Sequence, residues 1–211
     1  MKQKKQIIIF TDLDGSLLNK DTFKFDEIED YFKDLISEGI KIIPNSSKTE
    51  AELLYFNKQY NLNLPFISEN GSSIHGLNLI HKDLPNKISI SRSADQIISI
   101  YNESVPNDLK QKINFILKFD FKEQMKIFGL PLDKMMLAIK RKYSLPIQFV
   151  GNEIEKNEFF KIINDIGLTV QTGGRIMNIC DNVNKSKAMN KALQIITKKL
   201  DDKIITIGVG D

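Results

Sequence analysis

The sequence is poor in the features that cross-link a chain, anchor it in lipid or bind it to a polyanion. It holds one cysteine, Cys180, so no internal disulfide can form and a cysteine-based metal site has no support. A lone thiol fits a reducing compartment. No apolar run approaches the roughly 18 to 20 residues of a membrane span. "IIIF" at the start is too short for a signal-peptide core and runs at once into acids. These absences describe a cytoplasmic protein with no membrane partner. Beyond the opening "MKQKKQ" there is no basic block, and a net charge of +3 is too mild to argue for nucleic acid. The two histidines, His75 and His81, have no acid–base partner evident in the sequence and read as loop or strand-edge residues. There is no internal repeat and no low-complexity tract. What remains is 211 residues, 41% hydrophobic and 27% charged. That is the composition of an ordinary globular protein, long enough for one large domain or a domain with an insertion.

The pattern of apolar residues gives the organisation. Residues 6–11 are β-branched and apolar without alternation, which predicts a strand covered on both faces. "DEIEDYFKDLISEG" places Ile28, Tyr31, Phe32, Leu35 and Ile36 at helical spacing, with acids first and Gly39 as the stop. "IKIIP", the helix "SSKTEAELLYFNKQY" and the short strand "PFISENGSSI" complete a β-α-β-α-β order, which winds into a parallel sheet. The middle of the chain changes character. "DQIISIYNE", "LKQKINFILK", "FKEQMKIFG" and "LDKMMLAIKRK" read as helices, followed by the strand "PIQFV", a helix and the strand "LTVQT". "GGRIMNIC" reads as a strand, "KSKAMNKALQIITKKL" as a helix and "KIITIGVG" as a buried parallel strand. The expected layout is an α/β Rossmann-like core over residues 1–82 and 173–211, interrupted by an α+β domain over 83–172.

Ligands of open α/β sheets sit at the carboxyl ends of the strands. There the first strand delivers Asp12 and Asp14, the second Asn45, Ser46, Ser47 and Lys48, and the third Ser68, Glu69, Asn70 and Gly71. The last strand ends in Gly210 and Asp211, and Lys185 and Lys187 open the helix before it. Two carboxylates one residue apart repel unless something positive lies near them. Asp12, Asp14 and Asp211 are oxygen ligands suited to Mg²⁺. A carboxylate can also attack phosphorus, so Asp12 would be the nucleophile and Asp14 the acid and base for the leaving oxygen and water. Ser46 could donate to a transferring phosphoryl group and Lys185 could offset its charge. Gly15 would let the chain turn and bring backbone N–H groups near the phosphate.

Each residue also has a plainer reading. The DxDG run could be a surface turn or half a calcium loop, although its glycine comes too early for the latter. Ser46 could be a helix N-cap, with Ser47 and Thr49 as rivals. Lys185 and Lys187 could be solvated helix residues, and Arg141, within "KRK", could belong to a solvated helix face. Cys180 reads as a small buried hydrophobe and the Met135–Met136 pair as helix core.

"DLDGSLL", "SSK", "NKSKAM" and "GVGD" together, in this order, resemble the four motifs of the haloacid dehalogenase superfamily of phosphohydrolases. The insertion after the third strand resembles the cap of its type IIB, Cof-like members (a C2B cap). "SSKTEAE", "PFISENGSSI", "GGRIMNI" and "KRKYSLP" resemble the mannosyl-3-phosphoglycerate phosphatase family. The resemblance implies a Mg²⁺-dependent phosphomonoesterase acting on a phosphorylated sugar acid, as a monomer or homodimer. By that resemblance Gly15, Ser47, Lys48, Glu69, Asn70, Gly71, Arg141, Gly174 and Arg175 are substrate-binding candidates. Leu145 departs from the acidic residue expected in many relatives. The fourth motif usually continues past "GD" to a further acidic or Asn-Asp pair, whereas Asp211 is the last residue here, so the chain reads as truncated relative to that pattern. The competing readings are a sucrose-phosphate type phosphatase, a phosphomutase and a non-catalytic phosphosugar-binding remnant.

Overall fold

The computed structural model describes residues 5–19, 25–173, 176–200 and 203–210. In chain order these form β1 (Lys5–Thr11), α1 (Glu29–Ser37), β2 (Lys41–Pro44), α2 (Glu50–Gln59), β3 (Phe66–Ser68), β4 (Ser73–His75) and β5 (Lys87–Ser89). There follow α3 (Ala94–Ser104), α4 (Asn107–Lys110), β6 (Ile113–Phe115), α5 (Phe121–Phe128), α6 (Leu132–Ala138), β7 (Ser144–Phe149) and α7 (Glu153–Asp165). The chain closes with β8 (Leu168–Gly173), β9 (Ile176–Asp181), α8 (Lys185–Thr197) and β10 (Lys203–Val209). Contacts divide it into a first unit, Met1–Lys48, Leu53–Ile90 and Asn184–Asp211, and a second, Thr49–Glu52 and Ser91–Val183. Among the described residues no helix is long and apolar enough to cross a membrane.

The first unit is the α/β core. Its parallel sheet runs β10-β1-β2, and an isolated parallel bridge between Asn45 and Ile67 brings β3 alongside. The unbroken apolar run of β1 has the expected cause, since alternate residues serve opposite faces. Ile8, Phe10, Ile43 and Ile67 pack with Ala188, Ala192 and Ile196 of α8. Ile9, Ile42 and Phe66 belong to the cluster that holds Phe32, Leu53 and Phe56 of α1 and α2. β3 also pairs antiparallel with β4, and β4 with β5. His75 is not a strand-edge residue as expected. It is buried on β4, stacked on Phe66 with ring centroids 4.7 Å apart, and its Nε2 lies 2.7 Å from Ser73 Oγ.

The second unit carries the antiparallel sheet β6-β7-β9-β8. Ile147, Ile179, Leu168 and Ile113 point to one face and pack with Ile97 and Tyr101 of α3 and Phe159 and Ile163 of α7. Capping boxes start both helices, at Ser93 with Gln96 and at Asn152 with Glu155. Two expectations change here. "LKQKINFILK" was expected to be helical, but only short turns form, at the end of α4 and at Ile116–Lys118, and between them Ile113–Phe115 pairs with β7 as β6. Ile113 and Phe115 stand two apart and both reach the α3–α7 core, so burial in a sheet outweighs the helical spacing. The core was also expected to resume at residue 173. The contact boundary falls after Val183 instead, because β9 pairs with both β7 and β8. Cys180 is buried as expected, and of the methionine pair Met135 is core while Met136 is exposed.

Asp181 joins the entry and exit of this unit. Its carboxylate accepts from Ser91 Oγ, from the Arg92 backbone N–H and from Arg92 Nε at 2.7 Å, and it pairs with Arg92 Nη2. Arg92 Nη2 also donates to Gly167 O at 2.8 Å. Burial pushes the Asp181 carboxyl up, but the bonds from Arg92 and Ser91 outweigh it and hold the group below its ordinary value. A lowered carboxylate pKa contributes stability above the ordinary aspartate value, and that contribution is lost as pH falls through the lowered one.

Asp181→Asn is therefore expected to destabilise the protein by about 1–3 kcal/mol at pH 7. In thermal unfolding the gap to wild type should narrow as pH falls below the ordinary aspartate value; a gap that stays constant down to the onset of acid unfolding would contradict the assignment. Tyr101 offers the opposite case. Its hydroxyl is buried without a hydrogen-bond partner, and burial pushes its pKa up to about 12. Tyr101→Phe removes that orphan and keeps the ring on Phe115, so unfolding should show stability unchanged or raised by up to about 1 kcal/mol.

Candidate active site

The end of β1 is held from both sides. Asp12 N donates to Val209 O of β10 at 3.0 Å, and Asn45 N donates to Thr11 O at 2.8 Å. The chain then turns. Leu13 O accepts from Leu18 N at 2.7 Å, and Gly15, at φ +81°, donates to Leu18 O at 3.1 Å. The left-handed backbone there is the reason for a glycine. This turn leaves both aspartates at the carboxyl end of the sheet. Asp12 Oδ1 accepts from Leu13 N at 2.7 Å, and Asp12 Oδ2 lies 2.7 Å from Lys185 Nζ. Asp14 has a lysine of its own. Lys48 Nζ is 3.0 Å from Asp14 Oδ1, an ion pair.

The loops after β2 and β3 interlock beneath these pairs. Ser46 is fully buried; its N donates to Ile67 O at 3.0 Å and its O accepts from Asn70 N at 3.0 Å. Ser46 Oγ accepts from Lys48 N at 3.2 Å. Thr49, not Ser46, meets the start of α2, its Oγ1 accepting from Glu52 N at 3.2 Å. Glu69 is buried, and its N donates to Lys48 O at 2.9 Å. Glu69, Asn70 and Gly71 all have positive φ, at 46°, 56° and 103°. A Cβ on Gly71 would stand 2.3 Å from Asn184 O, so the close approach of α8's first turn requires glycine. The "ENG" turn thus has a packing cause besides any contact with substrate.

The structure gathers Asp12, Asp14, Gly15, Ser46, Lys48, Glu69, Asn70, Gly71 and Lys185 within the first unit, linked by the bonds above. Ser47 is in the same loop and exposed. Arg141 belongs to the second unit, where Nη1 donates to Ser144 Oγ at 3.0 Å and the buried Nε has no hydrogen-bond partner. Gly174, Arg175 and Asp211 lie outside the described residues. Sequence reasoning placed Asn45 at this rim without a role. Its side chain reaches the backbone of Lys185, a long-range contact that no local pattern announces.

Among the described residues no group of three His, Cys, Asp or Glu side chains converges as a metal cage. Mg²⁺ needs none, since it usually takes one or two carboxylates together with waters and a substrate phosphate. Asp12 and Asp14 supply hard oxygen donors at the end of one strand, Asp12 beside Lys185 and Asp14 beside Lys48. The donor set fits Mg²⁺.

Residues 9–211 match the haloacid dehalogenase-like hydrolase family. The chain is 31% identical to a mannosyl-3-phosphoglycerate phosphatase of Pyrococcus horikoshii, over 97% of this chain and 83% of that protein. It is 30% identical to a glucosyl-3-phosphoglycerate/mannosyl-3-phosphoglycerate phosphatase of Methanococcoides burtonii, over 97% and 78%. Its fold is similar to that of a subclass IIB sugar phosphatase, with a TM-score of 0.59 at 14% identity over 95% of this chain and 80% of that one. With the paired aspartates, the buried serine and the lysine assembled at one strand end, the chain belongs to the haloacid dehalogenase-like hydrolases and is a phosphatase, a phosphoric monoester hydrolase.

Proposed function

We propose that this phosphatase is Mg²⁺-dependent, works through an aspartyl-phosphate on Asp12, and hydrolyses mannosyl-3-phosphoglycerate or glucosyl-3-phosphoglycerate to the glycosylglycerate and phosphate. The observation that carries the mechanism is the Asp12 carboxylate held against Lys185 at 2.7 Å, with Asp14 two residues on. The substrate rests on the two relatives named above.

Asp12 attacks phosphorus with one carboxylate oxygen. The P–O bond to the substrate's glycerate oxygen breaks, and Asp14 gives that oxygen its proton. Asp14, then ionised, takes a proton from the water that attacks the acyl phosphate and frees Asp12. Ser46 Oγ donates to the phosphoryl oxygens, and Lys185 offsets the charge spread over them. Gly15 allows the tight turn that follows Asp14. Asp12 and Asp14 would hold Mg²⁺, with Asp211 carried over from the family pattern. When bound, the ion would neutralise phosphate charge. Ser47, Lys48, Glu69, Asn70, Gly71, Arg141, Gly174 and Arg175 are the substrate-binding residues of the proposal. A guanidinium such as that of Arg141 suits the carboxylate of a glycerate group. The proposal includes a cytoplasmic enzyme, monomeric or homodimeric, with no nucleic-acid partner.

Phosphate release from the two glycosyl phosphoglycerates and from sucrose 6-phosphate, with Mg²⁺ and with chelator, tests the reading. Asp12→Asn should abolish turnover, and Asp14→Asn should lower kcat by about 10²–10⁴-fold. Neither should move the melting temperature by more than a few degrees. Turnover by Asp12→Asn at the wild-type rate would remove Asp12 as nucleophile. Chelator-resistant turnover would remove Mg²⁺, and preference for sucrose 6-phosphate would remove the glycerate substrates.

A further inference from the structure

We infer that Asn45 is the positioning residue of Lys185, fixing the first residue of α8 so that the ammonium group stays on Asp12. The inference rests on the role given to Lys185 above. Asn45 is 6% exposed and is tied from three directions. Its N donates to Thr11 O at 2.8 Å, it forms a parallel bridge with Ile67, and its Nδ2 donates to Lys185 O at 3.0 Å. A carbonyl oxygen can only accept, so the NH₂ half of the amide must face Lys185. That leaves Asn45 Oδ1 buried with no hydrogen-bond partner. An amide satisfied on one side alone is a poor filler for an apolar strand end, and buried polar groups are ordinarily paired. The bond to Lys185 is what this side chain contributes.

The need for such a bond follows from the lysine. Its side chain is long, flexible and 36% exposed, so the place of Nζ depends on where its stem begins. Gly71 limits how the first turn can shift, since its absent Cβ would meet Asn184 O at 2.3 Å. Asn184 Oδ1 caps the helix by accepting from Lys187 N at 2.8 Å. Asn45 adds a side-chain bond to the backbone of Lys185 itself, from the strand end that carries Ser46. One residue thus couples the end of β1, through its backbone, to the lysine, through its side-chain amide.

The test is a double-mutant cycle on hydrolysis of 4-nitrophenyl phosphate with Mg²⁺. It compares wild type, Asn45→Ala, Asn45→Asp, Lys185→Ala and the Asn45→Ala/Lys185→Ala pair, with melting temperatures for each. Asn45→Asp keeps the volume and loses the donor, so it decides the question if Asn45→Ala does not fold. Both Asn45 variants should lower kcat by about 10–100-fold with little change in KM. The pair should be no slower than Lys185→Ala alone, within about twofold. Losses that multiply in the pair, or Asn45 variants that melt earlier while folded enzyme keeps wild-type kcat, would overturn the inference. Lys185→Ala at the wild-type kcat would overturn the role of Lys185 and this inference together. A failure confined to the Asn45 arms would leave the role of Lys185 standing.

Discussion

Lys185 Nζ lies 2.7 Å from Asp12 Oδ2, and this ion pair joins residues from opposite ends of the sequence. It depends on the pairing of the sheet. Asp12 reaches its place because β1 is paired on one side with β10 and on the other with β2. Lys185 reaches its place because α8 packs Ala188, Ala192 and Ile196 on the face that carries Ile8, Phe10 and Ile43. Apolar burial sets the strand ends, and the strand ends set the charges. The ordering matters energetically, because an exposed ion pair contributes little to stability while a core of this kind contributes much more. The fold supports the pair, and the proposed chemistry rests on the pair.

The two lysines change the question posed by the neighbouring aspartates. Each carboxylate meets a separate cation from a separate loop, Asp12 with Lys185 and Asp14 with Lys48. Their mutual repulsion is therefore offset within the protein itself. The backbone beneath is correspondingly tight. Glu69 N on Lys48 O and Asn70 N on Ser46 O tie the third strand's turn to the second strand's loop, with positive φ at three successive residues. Strained backbone of this kind persists where surrounding contacts over-determine it, and here they do so around the candidate site residues.

The inserted unit is built by other means. Its sheet has one face closed by α3 and α7, and its two chain ends meet at Asp181, where Arg92 and Ser91 converge on one carboxylate. Register rather than loop chemistry organises it. β9 pairs with β7 through Ser144–Cys180 and with β8 through Leu168–Asp181, which draws the strand into the inserted unit.

By itself the sequence determined the parallel core, the helices with clear caps, and the cluster of Asp12, Asp14, Ser46, Lys48 and Lys185 at one rim. These were legible because each rests on local signals: apolar runs, cap residues, and short motifs at the ends of strands. Tertiary structure decided the rest. It made a strand of Ile113–Phe115, whose spacing suits a helix or a sheet until β7 supplies the partner. It buried His75 against Phe66, gave Gly71 its reason in the backbone of Asn184, and turned Asn45 toward Lys185. Each of these is a contact between residues far apart in the chain or across a turn, and a one-dimensional pattern carries no information about which distant backbone atom a buried side chain will meet.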